Sequence, residues 1–441
     1  MLIAKLLSFI KETLTDAFRT LTSREGLKSL YGIPLYRNAV YLMLNSAILA
    51  LTGFFFWAIA ARLYPVEGVG LASAAISAMA LLAALSTLGL TYGLIRFLPK
   101  AGKKSRDMIN SCFTLGILTS IALSLIFLAG LPSWSPALLP IRGHPVFFAA
   151  FMIFTAAMTL QSFTQQTFVA QRKTQFALWE GLIFGLLRFI PLILLAAFFH
   201  TFGIFVSWGI AASIAIVVSI FFFLPKIQPA YRPLPTISKV AISDLMHFSF
   251  ANYAANLFWS IPGLILPLTV VNILGAESNA YFYIGWAVGG VLLMIPLAAS
   301  FSLFAEGSHN EERLVGDVKR SLKLILLLLI PAIIIIFALG DKILLLFGSA
   351  YSENAARLLR LLALSAFPVS LNYIYFSIKR IEMRMRSVIG LTAFIAVGTL
   401  ALSYVLLPQI GILGAGVAWL AVQIIAAMIV GYKLVKLSLS H

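Results

Sequence analysis

The 441-residue chain holds one cysteine, Cys112, and 15 acidic side chains, and charged residues of both signs make up only 11% of it. An ordinary soluble domain carries about 25% charge. So little charge excludes a soluble enzyme. A disordered protein is excluded too, because such chains stay unfolded through lack of apolar surface, and here 61% of residues are hydrophobic. One cysteine rules out a disulfide framework and any multi-cysteine metal site. His144, His200, His247, His309 and His441 have no carboxylate or cysteine at ligand or triad spacing, so neither a metal centre nor a catalytic triad is expected. The acids Glu306, Glu311, Glu312 and Asp317 alternate with Arg313, Lys319 and Arg320, which reads as a solvated linker. No phosphate-binding loop is present, which argues against direct ATP drive. Neither an enzyme's active site nor a bound cofactor is expected.

What is abundant is apolar runs of about 20 residues, each long enough to cross a bilayer. Twelve are predicted, at about 38–62, 69–98, 108–131, 146–170, 176–198, 203–224, 246–274, 279–304, 322–340, 355–378, 388–408 and 411–432. The fold class is therefore all-α integral membrane. The net charge of +17 sits in short loops, so its partner is the membrane surface and no nucleic acid is expected. Cytoplasmic loops retain Lys and Arg. Alternate loops here carry 26 of the 32 basic residues, the other side holds Arg62, Arg142, Lys342, Arg357 and Arg360, and Arg188 alone lies inside a span. This alternation places both termini in the cytoplasm and the chain in the cell membrane. Residues 1–22 place Ile3, Leu6, Leu7, Ile10, Leu14, Phe18 and Leu21 at helical spacing against Lys5, Lys11, Glu12, Asp16 and Arg19, the pattern of an amphipathic helix lying on the membrane surface.

The second six spans read as a diverged copy of the first. Arg62–Gly70 after span 1 parallels Asn272–Ala280 after span 7, with Glu67 over Glu277. Gln171-Arg172-Lys173 parallels Ile378-Lys379-Arg380, and Gly203-Ile204 parallels Gly411-Ile412. Each copy has an even number of helices, so the two share one orientation about an axis along the membrane normal, with a central cleft between two lobes. The predicted division is a cytoplasmic segment over 1–37, an N-lobe over 38–224, a linker over 225–245, a C-lobe over 246–433 and a tail over 434–441.

These residues carry a resemblance. Asn45, Gly53-Phe54-Phe55-Phe56-Trp57, Ala61-Arg62-Leu63-Tyr64 and Gly68, then Leu85-Ser86-Thr87-Leu88-Gly89-Leu90 and Arg96-Phe97-Leu98-Pro99, resemble the polysaccharide biosynthesis flippases. Leu346-Phe347-Gly348-Ser349-Ala350-Tyr351, Ala355-Ala356 and Leu361-Leu362-Ala363-Leu364-Ser365 do so too. These flippases are the Wzx-type branch of the MATE-like multidrug/oligosaccharidyl-lipid/polysaccharide exporter superfamily. The resemblance covers about 36–433. It implies a two-lobed exporter that moves a lipid-linked glycan, a polyprenyl (di)phosphate sugar, outward by alternating access, with membrane lipids and the glycosyltransferases or polymerase of the same pathway as partners. Drug and cation antiporters of the superfamily carry buried carboxylates for a coupling ion, H+ or Na+. Here spans 1, 2, 4, 7, 8 and 10 have no acid well inside the membrane, and Glu180 is the one drawn into a span. A cation-coupled drug or metabolite antiporter is the alternative reading, and a non-transporting scaffold a third.

Candidate transport residues follow from polarity in an apolar setting. Arg188 near mid-bilayer costs at least about 2.5–3.5 kcal/mol and must face the bundle interior or water, where its planar fork suits a phosphate. Glu180, eight residues away, is about 12 Å along the helix, too far for a direct pair. Asn38, Asn45 and Thr52 recur at seven, and Ser249, Asn252, Asn256 and Ser260 at three and four, so each set shares one face. These faces either line a wet cleft or knit helices together. Gln161 and Gln165 in span 4 and Arg96 at the inner mouth complete the substrate-binding set. Trp57, Trp259, Tyr281, Tyr283, Trp286, Tyr373 and Tyr375 either stack on sugars or mark the interfacial belt. Gly181 with Gly185, and Gly285 with Gly289, permit close helix packing. Pro262 and Pro267 are the expected hinge, because they interrupt span 7 near its middle.

Overall fold

The computed structural model describes residues 34–199, 201–229, 231–307 and 314–438. The amphipathic reading of residues 1–22 falls outside them. Among the described residues the chain is helical, with twelve helices long and apolar enough to cross a membrane. They are span 1 Val40–Leu63, span 2 Val66–Ser86, span 3 Ser105–Trp134, span 4 Pro145–Ala170, span 5 Gln175–Ala196 and span 6 Gly203–Ile227. Then come span 7 Ser249–Leu274, span 8 Ala276–Phe304, span 9 Gly316–Leu345, span 10 Ser349–Ile381, span 11 Met385–Ile410 and span 12 Leu413–Tyr432. Leu327, Ile334, Val397 and Leu194 are exposed, as a surface solvated by lipid requires.

The repeated Glu has a local cause. Pro65 and Gly275 make the turns that start spans 2 and 8, Gly275 at φ 89°, and each puts a Glu into the first helical turn. There the unpaired backbone N–H groups favour negative charge. These equivalent turns meet across the lobes. Asn279 Nδ2 donates to the Gly70 carbonyl at 2.8 Å and lies 3.1 Å from Ser73 Oγ. A Cβ on Gly70 would stand 1.7 Å from the Ala276 carbonyl oxygen, so only glycine allows this crossing.

Several spans are interrupted. The single helix expected over 69–98 breaks after Ser86 and resumes as Leu90–Phe97, because Leu88 (φ 48°) and Gly89 (φ 77°) are left-handed. Span 5 breaks at Arg188, where Pro191 supplies no N–H to the Leu187 carbonyl. Pro296 has the same effect on span 8, which bends at Leu293. Span 6 contains a π-helical turn over Ser219–Phe223. Span 7 runs unbroken from Lys239 to Leu274 through both Pro262 and Pro267.

One buried cluster joins the lobes, bringing Val69, Ala72 and Ile76 of span 2 together with Val271, Ala280 and Ile284 of spans 7 and 8. A second cluster belongs to the N-lobe apart from Tyr231 and Leu245, and a third to the C-lobe. The core is thus shared near the span 1–2 and 7–8 turns and forks toward the basic face. A cavity lies in the fork.

Candidate transport cavity

Span 1 packs on span 5 through small and polar residues. Thr174 Oγ1 donates to Asn38 Oδ1 at 2.8 Å. A Cβ on Gly181 would stand 1.9 Å from Asn45 Oδ1, and one on Gly185 would stand 2.7 Å from Thr52 Oγ1. The glycines let span 1 press its polar stripe against span 5. Asn38 and Thr52 therefore knit helices, and Asn45 also reaches the cavity.

That cavity, about 550 Å³, is lined by Asn45, Gln161, Ser162, Gln165 and Gln166 of the N-lobe and by Tyr253, Asn256 and Ser260 of span 7. Thr87, at the break after span 2, and Thr91 and Tyr92 of the helix Leu90–Phe97 that follows it also line the space. The break at Leu88-Gly89 turns Thr87 toward the cavity, and the Tyr253 hydroxyl donates to the Leu85 carbonyl at 3.3 Å beside it. Most of these residues carry an amide or a hydroxyl, and among the described residues no Lys, Arg, Asp or Glu belongs to the lining. Asn45 Oδ1 is buried against Gly181 without a hydrogen-bond partner.

The charge lies one layer back. Arg188 is 1% exposed. Its guanidinium carbon sits 4.8 Å from the Phe56 ring, 5.0 Å from Phe184 and 4.8 Å from Trp208. Nη2 donates to Thr52 Oγ1 at 3.0 Å, and Nε has no partner. Three aromatic faces replace a counter-ion, each worth about 0.5–2 kcal/mol. Phe184 is shared, forming one wall of this cage and one wall of the cavity.

Glu180 is fully buried. Thr164 Oγ1 donates to its Oε2 at 2.8 Å, Ser219 Oγ to the same oxygen at 2.5 Å, and Gln165 Nε2 to Oε1 at 2.9 Å. Ser219 comes from the π-helical turn of span 6, a local widening found at functional sites.

An apolar slot of about 600 Å³ adjoins the cavity, lined by Ala50, Gly53, Phe54 and Trp57 of span 1, Trp286, Ala287, Gly290 and Val291 of span 8, and Ile336 and Ile343 of span 9. Leu49 lines both spaces. Toward the span 1–2 turn the slot ends where Trp57 meets Tyr283 with ring centroids 4.7 Å apart, and Phe54 meets Phe347 at 5.2 Å. Beyond these rings Arg62 Nη2 donates to the Leu345 carbonyl at 2.6 Å.

Of the residues singled out in the sequence, the structure brings Asn45, Gln161, Gln165 and Asn256 into one cavity. Asn252 is one turn earlier, its carbonyl accepting from Asn256 Nδ2 at 2.9 Å. Arg96 is exposed beyond the cavity with its guanidinium 5.8 Å from the Phe97 ring. Trp57 and Trp286 line the slot, whereas Trp259 packs on Tyr373 and Trp419. Tyr281 packs on Tyr351, and Tyr375 is buried. Thr87, Thr91, Tyr92 and Tyr253 escaped the sequence reading. Their signal was Ser86-Thr87-Leu88-Gly89, a polar pair and a glycine inside an apolar run.

Two six-helix lobes enclosing a central cavity are a fold shared with solved multi-pass membrane transporters. An inward-facing multidrug resistance MATE family transporter of the MOP superfamily superposes with a TM-score of 0.68 at 15% identity, covering 91% of this chain and 98% of the other. Lipid II flippase MurJ in an inward closed conformation gives 0.71 at 13% identity, covering 90% and 87%. A MOP superfamily transporter from Pyrococcus furiosus gives 0.61 at 13%, covering 95% and 99%. No curated protein sequence matches. Residues 35–306 match the polysaccharide biosynthesis protein family, and the chain belongs to that family.

Proposed function

We propose that the protein flips a lipid-linked oligosaccharide or polysaccharide precursor, a polyprenyl (di)phosphate sugar, across the cell membrane by alternating access, with both termini cytoplasmic. The observation that carries this reading is the pair of spaces that share Leu49 as a wall, a cavity lined by amides and hydroxyls and an apolar slot beside it. A drug-sized cation needs one pocket. A glycan on a long hydrocarbon chain needs two joined spaces of opposite polarity, since burying a hydrated headgroup without partners is prohibitive.

In this reading the sugar hydroxyls meet Asn45, Gln161, Gln165 and Asn256 while the polyprenyl chain lies between spans 1 and 8. Arg188 supplies positive potential from behind Phe184. Two unit charges about 8 Å apart attract by about 2 kcal/mol at an effective dielectric constant of about 20, so a phosphate gains without direct contact. Rocking of spans 1–6 against spans 7–12 then opens the cavity to the far side. Proline-bearing span 7 is the hinge in this scheme.

The test is reconstitution into liposomes with a fluorescent polyprenyl diphosphate oligosaccharide, following headgroup access from each side. Protein-dependent translocation is expected. Dye efflux driven by an ion gradient, with no glycan movement, would replace this reading with the drug antiporter.

A further inference from the structure

Glu180 is the one buried acid of the described spans that the cavity lining leaves unused, and its surroundings suit two protonation states. The Thr164 hydroxyl has two acceptors in reach, Glu180 Oε2 at 2.8 Å and the Gln161 carbonyl at 3.0 Å, and one proton with which to serve them. With Glu180 ionised, Thr164, Ser219 and Gln165 all donate to the carboxylate. With a proton on Oε2, the carboxyl donates to Thr164 Oγ1 and the Thr164 hydrogen turns to the Gln161 carbonyl. Neither state strands a buried polar group there, which is otherwise expensive.

The surroundings lack a permanent counter-charge. Glu180 takes part in no ion pair among the described residues. The ionisable side chains on the elements packed around it are Arg37, Tyr41, Arg62 and Tyr64 of the span 1 helix and its end, and Arg172 and Lys173 of the span 4–5 turn. Arg188 of span 5 and Lys226 of span 6 complete the set, and span 4 contributes none. Arg188 is held instead by Thr52 and its aromatic cage. Gln165 touches both the cavity and the carboxylate, lining the one and donating to Oε1 of the other.

We infer that Glu180, with Thr164, Gln165 and Ser219, is a proton-binding site wired to the cavity through Gln165. A proton from water adds to Oε2 and returns to water, with no other bond made or broken. A cavity occupant that takes the Gln165 amide removes a donor from the ionised form, so occupancy and protonation bias one another, and reciprocally. This coupling to cargo rests on the transport reading; proton binding does not.

The experiment is infrared difference spectroscopy of the full chain in lipid nanodiscs across pH, with no substrate added. A protonated-carboxyl band should grow on acidification, shift in D2O and be missing from Glu180→Gln. Gln165→Leu should move its midpoint by roughly tenfold in proton affinity, as loss of one charge-assisted hydrogen bond implies. Ser219→Ala should do the same, a readout that stands even if Glu180→Gln does not fold. Spectra of wild type and Glu180→Gln that agree across the whole range, or a band indifferent to pH and to D2O, would overturn the site. In proteoliposomes, a pH gradient should accelerate glycan translocation by wild type and leave Glu180→Gln unaffected; equal acceleration of both overturns the coupling. A titrating Glu180 in a protein that moves no glycan supports the proton site and removes the substrate assignment instead.

Discussion

Arg188 Nη2 donates to Thr52 Oγ1 at 3.0 Å across 136 residues of sequence. Thr174 and Asn38 are bonded at the same separation, and Gly181 faces Asn45 at it again, since 181 less 45 is 136. Spans 1 and 5 therefore run parallel in a fixed heptad register, with 38, 45 and 52 against 174, 181 and 188. A seven-residue repeat holds one seam facing one partner. The register places Asn45 at the cavity edge and Arg188 behind it.

Gly181→Ala should break this seam at one point. The new methyl would stand 1.9 Å from Asn45 Oδ1, so Asn45 must leave the cavity wall or the helices must part, at about 1–3 kcal/mol. Glycan translocation should fall at least tenfold, with a lower thermal midpoint. Adding Asn45→Ala should restore the midpoint and leave translocation low, a non-additivity expected of touching residues.

Arg188→Lys should not substitute. An ammonium has no planar face to lay against Phe56, Phe184 and Trp208, so about 1–3 kcal/mol of stability should go with the stacking. Arg188→Leu removes the charge and keeps an apolar filling. It should fold at least as well as the lysine variant, because no buried cation is left to satisfy, yet translocate no phosphate-bearing substrate. Thermal melts with parallel translocation rates separate the two effects.

Gly70→Ala should wedge the lobes apart where spans 2 and 8 cross, with the methyl 1.7 Å from the Ala276 carbonyl oxygen. The only native thiol, Cys112, is buried, so labelling is clean. A Ser73→Cys reporter, beneath Asn279, should react slowly with a membrane-impermeant maleimide in the parent and at least tenfold faster with Gly70→Ala present.

Replacing Pro262 and Pro267 together with Ala returns N–H donors to the Phe258 and Gly263 carbonyls and stiffens span 7. Translocation should slow severalfold with thermal stability unchanged or raised. Undiminished translocation would remove the hinge from the scheme.

The spans were legible because twenty apolar residues in a row admit few folds, and the internal copy could be read because Glu67 and Glu277 answer the same need at a helix start. The polar stripe of span 1 was visible as a period of seven, but sequence could not say whether it faced water or a neighbour. Gly181 and Gly185 decided that, and their partners lie 136 residues away. Arg188 stood out as a buried cation, whereas its cage did not, since Phe56 and Trp208 look like any aromatic in an apolar run. The break in span 2 was hidden for another reason: Leu88 and Gly89 disturb hydropathy too little to interrupt a span.

The central claim is that headgroup and lipid chain occupy joined but different spaces, with the chain between spans 1 and 8. Cysteines placed at Ala50 and Val291, which face the slot from its two sides, can be joined by a short bismaleimide in an otherwise cysteine-free protein. Stapling is expected to stop translocation of a polyprenyl-linked oligosaccharide while singly labelled controls stay active. Full activity in the stapled protein would show that the lipid chain does not pass there, and would contradict the account.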